Sequence, residues 1–321
     1  MTTGMKITII GIILIVLGCL IFVGSMAPTG FDWSKLSTEK FEQKTYTTEN
    51  TFQNICIEEE YGVDIKLLPA TDGVCKIEYP ESKNVTCEIS IENGTLKIKE
   101  SDNRRWYQLI NFGFSSPTMT IYLPRREGQT LNIDANTGDI DIPEGLSFEN
   151  LKIDLSTGDV TVSANVTGNL EIKASTGDIA VSNSAPASVS LTTNTGDITA
   201  NAIHTTGDVS VKSSTGRQIL NDVTCASANL RASTGYVKMA NLIVSGHLQI
   251  ETTTGDITFD RCNAATMKIT ADTGNVTGTL CAPKIVYANS GTGKIQVPHS
   301  TEGGLCEITT DTGRISISFA E

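Results

Sequence analysis

Residues 151–162 read LKIDLSTGDVTV, and residues 170–181 read LEIKASTGDIAV, so the same pattern returns after 19 residues. The dipeptide Thr-Gly recurs on both sides of this stretch. Its threonines stand at positions 137, 157, 176, 195, 215, 234, 254, 273, 292 and 312. The ten copies lie 19 or 20 residues apart, and a fixed period of this length is the sequence signature of a stacked repeat architecture.

Apolar residues keep fixed distances from each Thr-Gly. They stand six and four residues before the threonine and three residues after it, as Leu151, Ile153 and Val160 do around Thr157. Because side chains two residues apart share one face of a β-strand, each copy is predicted to form a strand, a corner, a second strand and a loop of eight or nine residues. Stacked copies share a core that one copy cannot make alone. Residues 131–321 are therefore predicted to be all-β, a β-solenoid of about ten rungs of 19–20 residues.

The glycine of each corner has a structural role in this fold. Turning the chain between two strands within two residues calls for a positive φ, which glycine adopts without Cβ strain. None of the ten copies replaces it. The predicted structural corners are Gly138, Gly158, Gly177, Gly196, Gly216, Gly235, Gly255, Gly274, Gly293 and Gly313.

The N-terminal residues carry the signal of a membrane helix. From Ile7 to Gly24 no side chain is charged, and the run extended to Met26 would form roughly 30 Å of helix. Lys6 precedes this run, so the positive-inside rule leaves the N-terminus in the cytoplasm and the rest of the chain outside. Residues 1–26 are predicted to be a single-pass anchor, which makes the membrane a partner and the bacterial cell surface the location.

Two other interpretations of this segment stay open. Ser25-Met26-Ala27 resembles a signal-peptide cleavage site, and Cys19 follows a small residue as the lipidated cysteine of a bacterial lipoprotein does. All three interpretations place the remainder of the chain outside the cytoplasm.

The segment between anchor and repeats divides in two. Residues 27–50 are predicted to be a polar stalk, and residues 51–130 an irregular β section that caps the solenoid at its N-terminal end. The aromatic residues of the segment 104–116 are predicted to belong to this cap or to grip a sugar ring or a protein. The last rung, Ile315 to Phe319, has no cap after it, so an oligomer contact is expected there.

These features together resemble a known family. The segment TMTIYLP from Thr118 to Pro124, leading into strands of the form S-T-G-D-I, is similar to the bacterial putative-adhesin family of membrane-anchored β-strand-repeat proteins, a domain family of unknown function. The resemblance covers roughly residues 45–321. It implies an extracytoplasmic β-solenoid with a single-pass anchor and a role in adhesion or envelope-stress signalling, and it brings no catalytic residues with it.

Composition excludes several classes of function. Acids outnumber bases by 36 to 24, and a net charge of −12 argues against a nucleic-acid partner. His204, His247 and His299 stand at different offsets in the repeat, so they are not predicted to stack into a metal site. Short, uniform loops offer no wall for a catalytic cleft, so neither an enzyme nor a cofactor is predicted.

The aspartates that follow the corner glycines are the best candidates for chemistry. Asp139, Asp159, Asp178 and Asp197 occupy consecutive rungs, and stacking would place their carboxylates about 5 Å apart. Carboxylates at this spacing repel one another unless a cation lies between them, and Ca²⁺ prefers oxygen ligands. However, the column continues with Arg217, which a metal ladder does not tolerate. A turn-forming role is favoured, and a calcium ladder is the alternative.

The cysteines also follow the repeat. Cys262 and Cys281 both lie eight residues after their threonines and one rung apart. They are interpreted as small buried apolar side chains, with a disulfide between them as the alternative.

Two functions remain open from the sequence. The first is a surface adhesion module whose Thr-, Ser- and Asn-rich sheets bind a cell-wall polymer, another glycan or a protein over many rungs. The second is an accessory component of an envelope-stress sensing system that contacts another membrane protein.

Overall fold

The computed structural model describes residues 3–30, 40–105 and 116–320. These residues form one α-helix followed by an all-β solenoid of about nine turns. The strands are β1 (Glu42–Thr48), β2 (Asn54–Glu59), β3 (Asp64–Pro69), β4 (Cys75–Glu81), β5 (Val85–Glu92), β6 (Thr95–Asp102), β7 (Thr118–Leu123), β8 (Thr130–Thr137), β9 (Ile140–Ile142), β10 (Ser147–Phe148), β11 (Asn150–Thr157), β12 (Val160–Val162), β13 (Asn165–Val166), β14 (Asn169–Thr176), β15 (Ile179–Ser184), β16 (Ser188–Thr195), β17 (Ile198–His204), β18 (Asp208–Thr215), β19 (Gln218–Cys225), β20 (Ser227–Thr234), β21 (Val237–Thr254), β22 (Ile257–Thr273), β23 (Val276–Leu280), β24 (Ile285–Ser290), β25 (Ile295–Gln296), β26 (Leu305–Thr312) and β27 (Ile315–Phe319).

The helix covers the apolar N-terminal run. Helix α1 spans Thr3–Met26, and a 3-10 turn follows at Ala27–Thr29. Across the three described ranges, no helix combines the length and the apolarity needed to cross a membrane. The predicted single-pass anchor from Ile7 to Gly24 is therefore not confirmed.

The repeats stack in parallel, as their period predicts. Leu151 lies between Leu131 and Leu170 in the pairing of first strands, so apolar side chains lie directly above one another. The corner threonines of nine turns share one column, formed by Thr137, Thr157, Thr176, Thr195, Thr215, Thr234, Thr254, Thr273 and Thr312. The apolar positions of the repeat form one continuous buried core along the rod.

The segments after the second strands are more regular than predicted. Strands β10 and β13 pair with each other there, and in later turns the segment merges into the long strands β21 and β22. Five residues that stand seven positions after a corner threonine have positive φ angles between 47° and 56°: Asn183, Ala202, Asp222, Asn241 and Arg261. The next residue in each turn is buried, as Ile203 and Val223 show. The prediction of a loop of eight or nine residues is therefore wrong. An inward side chain fixes this segment, which forms a second corner and a third side of each turn.

The N-terminal end is closed by antiparallel strands. Strand β2 lies between β6 and β8, and β3 lies between β7 and β9, so β2 and β3 form a rung that lacks the Thr-Gly mark. Strand β5 pairs with β6, and β4 pairs with both β7 and β1, all antiparallel. Strand β1 falls in the segment 27–50 predicted to be a stalk. Its Tyr46 packs against the core, so the end of that segment belongs to the sheet.

The last two rungs are exchanged in order along the rod. Strand β26 lies between β22 and β24, and β27 lies between β23 and β25. The prediction that Ile315 to Phe319 form the open end is therefore wrong. Because Ile308 and Ile317 are larger than Ala288 and Val297, which hold the equivalent positions one rung earlier, the C-terminal rung fills the interior of the stack better.

One polar residue interrupts the core. Gln218 stands three residues after its corner threonine, where the other turns carry Ile or Val, and it is fully buried. Its Nε2 donates to Ser213 Oγ at 2.9 Å and to the carbonyl oxygen of Arg231 at 2.7 Å, whereas its Oε1 has no hydrogen-bond partner. Burying an unpaired acceptor is unfavourable, so this position is a weak point of the stack.

The variant Gln218→Val is expected to raise the free energy of unfolding by about 1 kcal/mol, because valine continues the apolar column and removes the unpaired oxygen. Urea unfolding of the full chain in mild detergent measures the change. Gln43→Val, on the exposed strand β1, is the control and should change stability by less than about 0.5 kcal/mol. A destabilised Gln218→Val would mean that the amide bonds outweigh the unpaired oxygen.

Candidate functional site

The corners form a column in which backbone touches backbone. At Gly177, φ is +137°, and a Cβ atom would lie 1.8 Å from the carbonyl oxygen of Gly158. All corner glycines from Gly138 to Gly274 have a positive φ, and so does Gly313, whereas Gly293 does not. Gly293 still stacks closely, because its Cβ would lie 1.8 Å from the carbonyl oxygen of Gly313. The close approach between turns is therefore a stricter reason for glycine than the positive φ angle, since it also applies at Gly293.

The aspartate column is a hydrogen-bonded ladder. The Oδ1 atom of Asp139 accepts the backbone N–H of Asp159 at 2.9 Å, and the Oδ1 atom of Asp159 accepts that of Asp178 at 2.8 Å. Asp178 accepts the N–H of Asp197 at 2.7 Å in the same way. Each carboxylate thus satisfies an amide of the next turn that the corner leaves without a strand partner.

Arg217 continues the ladder after Asp197. Its backbone N–H donates to Asp197 Oδ1 at 2.8 Å, and its Nε donates to Oδ2 at 2.6 Å. The hydrogen bond from the Arg217 guanidinium holds the pKa of Asp197 below its usual value. The ladder begins one rung earlier than predicted, because Asp64 Oδ1 accepts the N–H of Asp139 at 3.0 Å. Asp64 escapes the sequence pattern because it stands two residues after its corner glycine, Gly62, instead of one.

The ladder geometry matches the turn-forming role. Within the described ranges, no three His, Cys, Asp or Glu side chains are placed to hold a metal ion together. One oxygen of each of Asp139, Asp159 and Asp178 is already committed to an amide. The calcium ladder through Asp139, Asp159, Asp178 and Asp197 therefore gains no support from the structure.

Two buried glutamates lie at the N-terminal corner. Glu59 and Glu100 are 3% and 1% exposed, and they belong to the paired strands β2 and β6. Glu59 Oε1 accepts the N–H groups of Gly62 and Val63, and its Oε2 accepts those of Asn136 and Thr137. One carboxylate thus ties the β2–β3 corner to the next turn. These four bonds replace the Thr-Gly stacking that this rung lacks.

Glu100 has the most perturbed environment of the pair. Burial, with the charge of Glu59 beside it, raises the pKa of Glu100 to about 8. Its Oε2 accepts the N–H of Tyr61 at 3.3 Å, and its Oε1 has no hydrogen-bond partner other than the neighbouring carboxyl group of Glu59. The sequence contains a signal for both residues, since Glu59 continues the inward series Ile55, Ile57 and Glu100 continues the series Leu96, Ile98.

A shallow groove crosses the outer face of five neighbouring strands, β16, β18, β20, β21 and β22. Its volume is about 500 Å³, and its charged lining residues are Lys212, Arg231, Glu251 and Asp272, beside Ser, Thr and Asn side chains. Lys212 and Arg231 are direct neighbours across β18 and β20. Arg231 Nε lies 3.3 Å from Glu251 Oε2, whereas Lys212 makes no ion pair with any described residue. The charges of the groove balance overall, and it combines hydroxyl groups with one lysine, Lys212, whose ammonium group is not held in an ion pair by the described residues.

A second hollow lies near the N-terminal cap. Its volume is about 670 Å³, and its lining includes Arg125, Arg126, Glu127 and Glu144. Bases and acids balance there, and the Arg126 guanidinium lies 5.4 Å from the centre of the Phe52 ring. Because this hollow does not follow the repeat, the groove on the strand face is the stronger candidate for an extended ligand.

The remaining predicted groups have separate positions. Cys262 is buried and Cys281 is exposed, both as free thiols, because Leu280 takes the place opposite Cys262. The predicted disulfide alternative is thus absent from this structure. His204 and His247 each contact a threonine hydroxyl of the next turn. The aromatic residues at 106–115, for which a cap or a binding role was predicted, lie outside the described residues.

Family comparison agrees with this stacked architecture. The family described as Toastrack DUF4097 matches residues 52–217 and 202–321. The chain belongs to this family. The resemblance to a putative-adhesin β-repeat family is thereby confirmed for the Toastrack region of the chain.

Several solved structures are similar to this Toastrack chain in fold. A putative adhesin from Bacteroides fragilis is 15% identical with a TM-score of 0.42, and the match covers 86% of this chain and 97% of that one. A putative lipid binding protein from Parabacteroides distasonis is 14% identical with a TM-score of 0.46, covering 88% and 98%. A putative adhesin from Parabacteroides merdae is 13% identical with a TM-score of 0.31, covering 88% and 98%. No curated protein matches the chain.

Proposed function

We propose that the chain is a surface binding protein whose solenoid holds an extended, hydroxyl-rich polymer with negative groups, such as a cell-wall glycan. The groove on the strand face carries this proposal. It repeats similar polar groups once per turn, about 4.8 Å apart, and a polymer with a regular repeat can bind such an array at several turns at once. The open, shallow shape suits a long chain better than a small molecule, which usually needs a concave pocket.

The polar groups of the groove support a glycan ligand. Asn194, Ser214, Ser233 and Thr253 stand one residue before the corner threonines on consecutive turns, and all four are exposed. Their hydroxyl and amide groups can both donate and accept hydrogen bonds, which suits the hydroxyl groups of a sugar polymer. Lys212 adds a charge that would bind a carboxylate or phosphate of the polymer.

The proposal places the solenoid outside the cytoplasm. The uncharged run from Ile7 to Gly24 after Lys6 supports a surface location, as an anchor or as a processed export signal. Added protease that removes the solenoid from intact cells, while a cytoplasmic control protein stays whole, would agree with this location. Complete protection in intact cells and digestion only after lysis would contradict it.

Polymer binding can be tested with two matched lysines. The full chain in mild detergent is sedimented with insoluble peptidoglycan, and separately titrated with a soluble polyanionic wall polymer. We expect saturable binding to one of them. The dissociation constant of Lys212→Ala should be about tenfold larger, which corresponds to about 1.4 kcal/mol of binding free energy. Lys238→Ala removes an exposed lysine from the other side of the next corner and is the control.

The outcomes separate the proposed function from its alternatives. Equal losses of affinity for Lys212→Ala and Lys238→Ala would show that binding is nonspecific charge attraction. That result would contradict the assignment of the groove as the binding site. Absence of binding to both polymers would contradict the adhesion proposal and favour the sensing role. Binding is expected to be the same with calcium and with a chelator, because the aspartates of the ladder already accept amide hydrogen bonds.

A further inference from the structure

The rung at the far end of the rod leaves its core uncovered. Ile295 stands three residues after its corner threonine, the position at which Ile198, Ile257 and Ile315 are completely buried, and yet it is 44% exposed. Val286 and Ala288 are only partly buried, although residues at their repeat positions in other turns are buried. This end surface of the stack therefore presents apolar core to solvent.

The backbone at this end is unpaired as well. Among the described strands, β24 pairs only with β26, and β25 pairs only with β27. The N–H groups of Ile285 and Gly291 donate to the neighbouring rung, to the carbonyl oxygens of Gly304, just before β26, and of Thr310 in β26. Because alternate amides of a strand point to opposite sides, the amides of the even-numbered residues between them point away from the stack. An open edge of this kind is a template for another strand.

The two ends of the rod differ in their protection. At the N-terminal end, β1 carries Glu42 and Lys44, and β5 carries Glu88 and Glu92, and charged residues on an edge strand oppose further pairing. Strand β24 carries no charged residue, and the lysines that flank this segment are Lys284, which is buried, and Lys294, which precedes β25. The rod thus has one protected end and one end that is free to pair.

We infer that two copies of this chain join end to end through β24 and β25, around a twofold axis, to form one continuous rod. Stacking head to tail would need an open surface at both ends and would make filaments, which the protected N-terminal end opposes. A twofold contact needs only the one open end and makes β24 pair antiparallel with β24 of the second copy. Around such an axis a charge on the paired strand would lie close to the same charge of the second copy, so the absence of charged residues from β24 fits self-pairing.

The contact would bury the exposed apolar side chains of this end. Tyr287 on β24 is 65% exposed, and Leu305, which pairs with Ile285 from the neighbouring β26, is 38% exposed. Joining two copies would remove these side chains and the open core column from water, which is the main favourable contribution to association. The resulting dimer would carry two polymer-binding faces, one on each half.

The oligomeric state of the full chain tests this contact directly. Sedimentation equilibrium in mild detergent, at matched solvent density, is expected to give the mass of two chains at micromolar concentration. Ile295→Lys should give the mass of one chain, because lysine would place two like charges in the contact. Ile243→Lys replaces an isoleucine that is 39% exposed in the middle of the rod, and it should leave the dimer intact.

Helix α1 is present in all of these variants, so association through it cannot produce a difference between them. If Ile295→Lys fails to fold, as judged by circular dichroism, Tyr287→Lys replaces it, because the Tyr287 side chain is mostly in solvent already. A monomeric parent chain would overturn the inference. A dimer that survives both end variants would overturn it as well, whichever result the polymer-binding test gives.

Discussion

Replacing Gly177 by valine is expected to unfold the solenoid or to open it at the corner between β14 and β15. The Cβ atom would lie 1.8 Å from the carbonyl oxygen of Gly158, and a backbone oxygen cannot rotate away as a side chain can. Either the turns separate, which breaks the ladder bonds on both sides, or the corner changes its φ of +137°. We expect a loss of about 4 kcal/mol or more, at the upper end of single-residue effects, measured as the urea midpoint of the full chain.

A second glycine separates the clash from the backbone conformation. Gly73 has a φ of +76° and nothing within 4 Å of its Cβ position. Gly73→Ala should therefore cost only the strain of a left-handed residue, about 1–2 kcal/mol. Gly177→Ala should cost clearly more, because even a methyl group meets the Gly158 oxygen. Equal losses at the two positions would show that φ alone, and not close stacking, explains the corner glycines.

The stacked core could be predicted from the sequence because its cause is local and repeated. Each Thr-Gly copy specifies the same corner, and the apolar positions two residues apart specify the same inward face, so the period alone aligns Leu151 with Leu131 and Leu170. The same periodicity predicts the Asp ladder on consecutive turns. The periodicity does not predict the hydrogen-bond partner of each carboxylate, because that partner is a backbone amide of the next turn and carries no sequence signal.

The ends of the rod could not be predicted in this way. A periodic pattern predicts which faces of two rungs match, but it does not predict the order in which matching rungs stack. We attribute the exchange of the last two rungs to the volume of their core side chains, such as that of Ile308 compared with Ala288. At the other end, Glu59 and Glu100 replace the corner chemistry by a buried carboxyl pair. The groove that carries the proposed function depends on which outward residues become neighbours, as Lys212 and Arg231 do across β18 and β20.

The carboxyl pair is expected to make the stability of the N-terminal cap depend strongly on pH. The pKa of Glu100 is about 8 in the folded chain against an ordinary value of 4.5. Between these values the folded state keeps a proton that the unfolded state releases. The contribution of Glu100 to the free energy of unfolding is therefore greatest below about pH 4.5. It falls as the pH rises from about 4.5 to about 8 and is constant at higher pH.

The physical cause is the set of groups around Glu100. Glu59 faces it from β2, Cys87 lies opposite it on β5, and Tyr61 donates its backbone N–H to it. The nearby Arg104 guanidinium lies 4.2 Å from the centre of the Tyr61 ring. Burial, with a smaller contribution from Glu100, raises the pKa of Cys87 to about 12, so the thiol does not titrate in this range. Loss of the Glu100 proton would place two negative charges side by side in the core.

Glu100→Gln isolates this effect, because the amide is neutral at every pH. The full chain in mild detergent should lose stability between pH 5 and pH 8.5, measured as the urea midpoint, whereas Glu100→Gln should lose much less and exceed the parent chain above pH 8. Glu302→Gln changes an exposed glutamate and should follow the parent curve. Hydrogen exchange should place the high-pH opening in β5 and β6, since these strands lie outside the Glu59 corner. Parallel curves for Glu100→Gln and the parent chain would contradict the assignment.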